Sequence, residues 1–165
     1  MTLFDQILHI IKNNTLISLA LKKSFFNNEN FEPTEIRAIS EKVHIYSLSV
    51  GGCYITEENV VEFIDVISKL KNCRVHLSHG ERDYLFTVQD LEMMAEKNIK
   101  ITTIYTNQLK TEYLNSNLVK FIPVLKRLKH LKHFYYCSDD FYDGLPPLHL
   151  FKDLPMQQIP FYFAF

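Results

Sequence analysis

The sequence predicts an α/β fold: a repeat solenoid with a curved parallel sheet on the concave side and helices on the convex side. Three observations carry that expectation. A short apolar template recurs at nearly constant intervals, and helix-patterned segments separate its copies. The composition, 47% hydrophobic and 13% aromatic over 165 residues, is that of a chain able to bury a core.

The elements follow in order. Leu3, Ile7, Leu8, Ile10 and Ile11 recur with helical periodicity, so residues 1–14 read as a helix capping the first strand. Residues 15–165 then hold the repeats, about five units and a truncated last strand. The clearest unit is Ile45-Tyr-Ser-Leu48-Ser-Val50-Gly-Gly-Cys53-Tyr-Ile55, with apolar residues in slots one, four, six and eleven and Cys in slot nine. Leu16-Ile-Ser-Leu19-Ala-Leu21 and Leu131-Lys-His-Phe134-Tyr-Tyr136 open two further matches. Ile99, Ile104, Asn107 and Leu109 make a fourth, with Thr102 in an apolar slot. Starts at residues 16, 45, 72, 99, 131 and 159 lie 27–32 residues apart. The unit at 72 is degenerate: Val75 and Leu77 hold its strand, but Gly80 and Arg82 stand where the turn residue and apolar anchor belong.

Between the strands, residues 57–70 carry Val60, Phe63, Ile64, Ile67 and Leu70 on one helical face, with Thr56 placed as N-cap. Thr87 can cap a helix over 88–97 that presents Leu91, Met94 and Ala95. Residues 118–128 carry Phe121, Ile122, Leu125 and Leu128, with Pro123 near the helix start, where its missing N–H costs nothing. Strand, turn, helix and return, repeated, build a parallel solenoid. The competing architecture is an ordinary α/β domain in which strands and helices alternate at similar intervals.

The template is the leucine-rich-repeat pattern. The continuation Cys53-Tyr-Ile55-Thr56 into a helix resembles the ribonuclease-inhibitor-like class of leucine-rich repeats, in which Cys or Asn, an apolar residue and Thr lead into the helix. The resemblance implies a horseshoe surface that binds protein, with no shared catalytic residues to carry over.

Charge and motif content narrow the function. A formal net charge of -1 gives no global attraction to nucleic acid or an anionic membrane. Three cysteines form no disulfide framework, so reduced, buried thiols in an intracellular protein are expected. The first residues lack the basic region of a signal or transit peptide, and Asp65 and Lys69 break the best apolar stretch. A cytoplasmic or nuclear location follows as the expectation.

Cys53 occupies the turn slot where repeats bury Cys or Asn against the backbone. His76-Leu-Ser-His79 and His130-Leu-Lys-His133 have suggestive ligand spacings, but strand residues three apart point to opposite faces, so no metal is expected. The run from Lys126 to His133 reads as a solvated helix end. The acids Asp139, Asp140 and Asp143 fall on a strand-to-helix turn. No hydrolase or phosphate-binding motif is present, and no cofactor is expected.

The slots between and after the strand leucines should line the concave face. They give Ala20, Lys22, Lys23, Ser49, Gly51, Arg74, His76, Ser78, His79, Lys100, Thr103, Tyr105, Lys132, His133, Tyr135, Cys137 and Phe163, a set with basic and aromatic residues and without acids. Lys22, Arg74, His76, His79, Lys100, Tyr105, Lys132, His133 and Tyr135 are the expected partner-binding residues. Ser49 is expected in solvent between buried Leu48 and Val50. The resulting reading is a non-catalytic module that binds a protein, in narrower form a ubiquitin-ligase-type substrate receptor or adaptor, although no F-box-like Leu-Pro motif precedes the repeats. The alternative is a small intracellular α/β enzyme of hydrolase type using Asp139, Asp140 or His149. The apolar end, Phe161, Phe163 and Phe165 among them, is an unblunted strand edge suited to self-association or partner contact.

Overall fold

The computed structural model describes residues 1–13, 18–21, 30–78, 84–111 and 118–135. In chain order they form α1 (Leu3–Asn13), β1 (Ser18–Leu21), α2 (Pro33–Ser40), β2 (His44–Ser49) and α3 (Val60–Ser68). Next come β3 (Arg74–Leu77), α4 (Val88–Glu96), β4 (Ile101–Tyr105), α5 (Ile122–Leu125) and β5 (His133–Tyr135). Single 3₁₀ turns lie at Val50–Gly52, Thr106–Gln108 and Val119–Phe121.

All pairings are parallel, and the sheet order is β1-β2-β3-β4-β5. Every strand therefore lies beside its neighbour in sequence, and α2, α3, α4 and α5 pack one on the next in the same order. A doubly wound α/β sheet reverses its strand order at a switch point. This sheet does not, and its repeating β–α pattern, with helices on one face, is that of an α/β solenoid.

Helices α2, α3 and α4 begin in a common way. An apolar residue (Phe31, Ile55 or Phe86, all buried) is followed by a polar pair three residues apart. Thr87 N–H donates to the Asp90 carboxylate at 2.9 Å, and Asp90 N–H donates to Thr87 Oγ1 at 3.2 Å. This satisfies two backbone donors that a helix start leaves open. Thr56 and Asn59 make the same reciprocal pair at 2.8 and 3.2 Å. The expected cap Thr87 thus stands at the start of α4. The helix expected over 57–70 begins only at Val60, after the Thr56–Asn59 turn, and the one expected over 118–128 shrinks to a 3₁₀ turn followed by α5, with Pro123 in its first turn. At the other ends, Asn72 and Asn98 take positive φ values of 51° and 54°. Asn tolerates this left-handed conformation better than most residues, which lets α3 and α4 turn into β3 and β4.

One core runs between sheet and helices. Leu48, Val75, Leu77, Ile104 and Phe134 from the strands meet Ile36, Ile39, Phe63, Ile64, Leu91, Met94 and Leu125 from the helices, all fully buried. From α1, Leu3, Phe4, Ile7 and Ile11 pack half-buried against it. Leu48 and Val50 are buried as the template requires.

Register differs from the sequence expectation in the first and fifth units. The template places Leu19 and Phe134 in the slot of Leu48, yet Leu21 pairs with Leu48 and Phe134 pairs with Ile104. Both units are displaced by two residues, which keeps each side chain on its expected face because strand period is two. The paired core residues Leu21–Leu48, Leu48–Val75 and Leu77–Ile104 are 27 residues apart, and Ile104–Phe134 are 30 apart. A bulge lets Val75 pair with Ile101 and His76 with Thr103, leaving Thr102 as the extra, buried residue. The run from Lys126 onward starts at the C-cap of α5, a solvated helix end as expected, and continues past it; Leu128 and Leu131 are buried there, with Lys126, Arg127, Lys129 and His130 exposed. No helix among the described residues is long and apolar enough to cross a membrane. The apolar strand expected at 159–165 lies outside the described residues.

Candidate functional site

Strand residues that alternate with the core residues form the sheet face opposite the helices. Pairing aligns them in rows across the molecule. Ser49, His76, Thr103 and His133 make one row over β2–β5. Ala20, Ser47 and Arg74 make a second, and Tyr105 pairs with Tyr135 two residues further along.

At β3–β5 this face is polar, aromatic and open. The Tyr105 and Tyr135 rings lie 4.4 Å apart, tilted by 33°, and the His133 ring stacks on Tyr135 at 6.1 Å. Such offset ring contacts hold the side chains in place. His76 Nδ1 lies 3.1 Å from Thr103 Oγ1 and 3.3 Å from Thr102 Oγ1. Arg74, Lys132 and His133 are exposed, and Lys100 is half-buried with its Nζ donating to Asn72 Oδ1 at 3.3 Å. None of the five described strands contains Asp or Glu.

Seven of the nine expected partner-binding residues, Arg74, His76, Lys100, Tyr105, Lys132, His133 and Tyr135, therefore gather on β3–β5 or at their starts. Lys22 and His79 lie outside the described residues, as do Cys137, Phe163, and the Asp139, Asp140 and His149 of the enzyme alternative. Ser49, Gly51 and Ser78 are corrections: all three are buried, not solvated. The Ser49 hydroxyl donates to the Ser78 carbonyl at 3.1 Å, so a short side chain is covered by the chain leaving β3.

The thiols do structural work. Cys53 Sγ donates to the Ser49 carbonyl at 3.5 Å, and burial, with Cys73 nearby, pushes its pKa far above the ordinary thiol value. Cys73 is pushed up to about 11, again by burial. Raised values keep a thiol neutral and poorly nucleophilic.

A buried acid escaped the sequence reading. Asp90 is 7% exposed and, besides pairing with Thr87, accepts a 2.6 Å hydrogen bond from Tyr84 Oη. Burial and this bond raise the Tyr84 pKa. The visible signal was Thr87-x-x-Asp90 after Phe86, a capping box; the tyrosine partner had no signal. Among the described residues, no group of three or more His, Cys, Asp or Glu is placed to hold a metal ion. No protein-family model matches the chain, and no curated protein matches it. The face over β3–β5, with side chains from three strands held in rows, is the strongest candidate site.

Proposed function

We propose that the chain is a leucine-rich-repeat-type solenoid acting as a non-catalytic protein-interaction module, with the β3–β5 face as its concave binding surface. The observation that carries this reading is the row structure. Parallel pairing brings His76, Thr103 and His133 into line, with Arg74, Tyr105 and Tyr135 beside them. Rigid strands thus present an aromatic and cationic patch, the residue types enriched where protein interfaces bury most energy. Cysteine in slot nine of the second unit, hydrogen-bonded to backbone, supports the repeat class. The role as a ubiquitin-ligase-type substrate receptor or adaptor is a narrower form of the same proposal. It requires the bound protein to become ubiquitinated when this chain is present.

The test is site-specific photo-crosslinking in cells, with the crosslinker at Thr103 on the sheet face or at Glu92 on α4, an exposed helix position. The expected result is a defined protein adduct from Thr103 alone, whose purified partner binds in solution and loses affinity on Tyr135→Ala. Adducts from Glu92 alone would move the interaction to the helix side and overturn the assignment.

A further inference from the structure

We propose that the end of the solenoid where helices return to strands binds the phosphate backbone of double-helical nucleic acid. This end adjoins the β3–β5 face, and its role goes beyond the interaction reading above. It is formed by four loops: 41–43 after α2, 69–73 after α3, 97–100 after α4 and 126–132 after α5. They hold nine Lys or Arg, one in the first loop, two in each of the next two and four in the last, against a single acid, Glu41. At the opposite end, the described residues leading into α2 and α3 carry Glu32, Glu57 and Glu58 and no base. The formal net charge of -1 hides this polarity.

Parallel stacking joins the loops into one strip. His44 Nε2, at the start of β2, donates to the Lys71 carbonyl at 2.8 Å. Asp65 receives Lys69 at 2.7 Å and Lys97 at 3.6 Å, and Lys100 Nζ donates to Asn72 Oδ1 at 3.3 Å. Lys132 N–H donates at 2.9 Å to the Thr102 carbonyl, just past the third loop. Between the first two loops lies a concavity of about 550 Å³, lined by Lys42, His44, Lys69 and Lys71 and by one acid, Glu41. A cation at a helix C-terminus complements the helix dipole, and Asp65 pairs with Lys69 and Lys97. Lys42, Lys71, Lys126, Arg127 and Lys129 are exposed and make no ion pair among the described residues. An external anion is what they lack.

The remaining loop residues decide which anion. None is Phe, Tyr or Trp; Val43, Cys73, Ile99, Leu128 and Leu131 are buried, and Leu70 is half-buried. Tight protein interfaces bury aromatic or aliphatic anchors. Bilayer surfaces take up exposed apolar side chains, and unpaired bases stack on aromatic rings. This strip offers charge without any of these. A double helix encloses its bases and presents phosphates. Phosphate contact draws affinity from counterion release, which demands no fixed cation spacing. The exposed Asn72 and Asn98 add amide donors of the kind that contact phosphate.

The experiment measures fluorescence anisotropy of the full chain with a labelled duplex of arbitrary sequence, as DNA and as RNA. The expected result is micromolar binding of at least one duplex, nearly independent of sequence, falling about 100-fold between about 50 and 200 mM salt. Lys71→Glu and the double change Lys126→Glu with Arg127→Glu should each weaken it about tenfold and flatten the salt dependence, Lys71→Gln less. Lys110→Glu, the same reversal at the opposite end, should leave it within about twofold. Circular dichroism confirms that each variant is folded. Absence of duplex binding at low salt, or an equal loss from Lys110→Glu, overturns the proposal. So does tighter binding of single-stranded oligothymidylate, of polyglutamate or of phosphatidylserine vesicles, each pointing to another class of partner. A partner crosslinked through Thr103, combined with no duplex binding, overturns this proposal alone and leaves the interaction reading standing.

Discussion

The two ends of the sheet share one backbone plan and present different surfaces. Over β1 and β2, the face opposite the helices carries Ala20, Ser47 and Ser49, both serines buried, with His44 and Tyr46 exposed at the start of β2. Over β3–β5 it carries Arg74, His76, Thr103, Tyr105, His133 and Tyr135, exposed or half-exposed. On the core side the two ends are alike: Leu48 and Ile104 are both 0% exposed. Alternation along a strand separates two tasks. One set of residues fixes the fold unit by unit, and the other is left to vary from a closed, small-residue strip to an open, cationic and aromatic one.

The largest test of this comparison lies in the shared core. Leu48→Ala and Ile104→Ala should each lower unfolding stability by about 2–5 kcal/mol in urea titration. A loss at only one of them would break the equivalence of the units. Next comes the surface strip. Ser49→Tyr should cost about 1–3 kcal/mol by overpacking a closed site, whereas His133→Tyr, exposed in the same row at the other end, should stay within about 0.5 kcal/mol. Equal costs would mean the two ends are not differently covered. Thr87→Ala should cost about 0.5–2 kcal/mol through loss of the α4 cap, read as a lower melting temperature.

Cys73 gives a pH signature of the core. Its pKa is about 11 in the folded chain against 9.0 for an ordinary thiol. The unfolded thiol therefore ionises first, so stability contributed by keeping it neutral is present below pH 9 and is lost as pH rises towards 11. Cys73→Ser should lessen that decline in melting temperature, and the part due to Cys53, raised by burial as well, should persist. The smallest expected effect is at the open end, where Arg74→Glu should change stability by no more than about 0.5 kcal/mol. A larger loss would show that Arg74 serves the fold and not the surface.

Much of this architecture was legible in the sequence. Ile45, Leu48 and Val50 announced a strand, Thr87 announced a cap, and the spacing of units announced their parallel stacking. The slip of two residues at the first and fifth units was not legible. Leu19 and Leu21 are both apolar, as are Phe134 and Tyr136, so either register buries a suitable row. Only the backbone pairings distinguish them. Burial of Ser49 was hidden for another reason: it depends on the Ser78 carbonyl, 29 residues away, arriving over the strand. At the candidate site, basic and aromatic character could be read from individual residues. Their place on one face followed from the unit spacing as well; the pairing of His76 with Thr103, which rests on the bulge at Thr102, did not.

The constant pairing interval also shapes how the chain reaches its native state. Joining residues 27 or 30 positions apart closes loops of nearly equal length, so each added unit meets a similar entropic barrier. No described strand waits for a distant part of the chain. Folding can begin at the well-packed middle, around β2–β4, and spread outward by accretion. Under mechanical load applied at the ends, the same arrangement should yield by stepwise peeling, with the terminal units released before the centre.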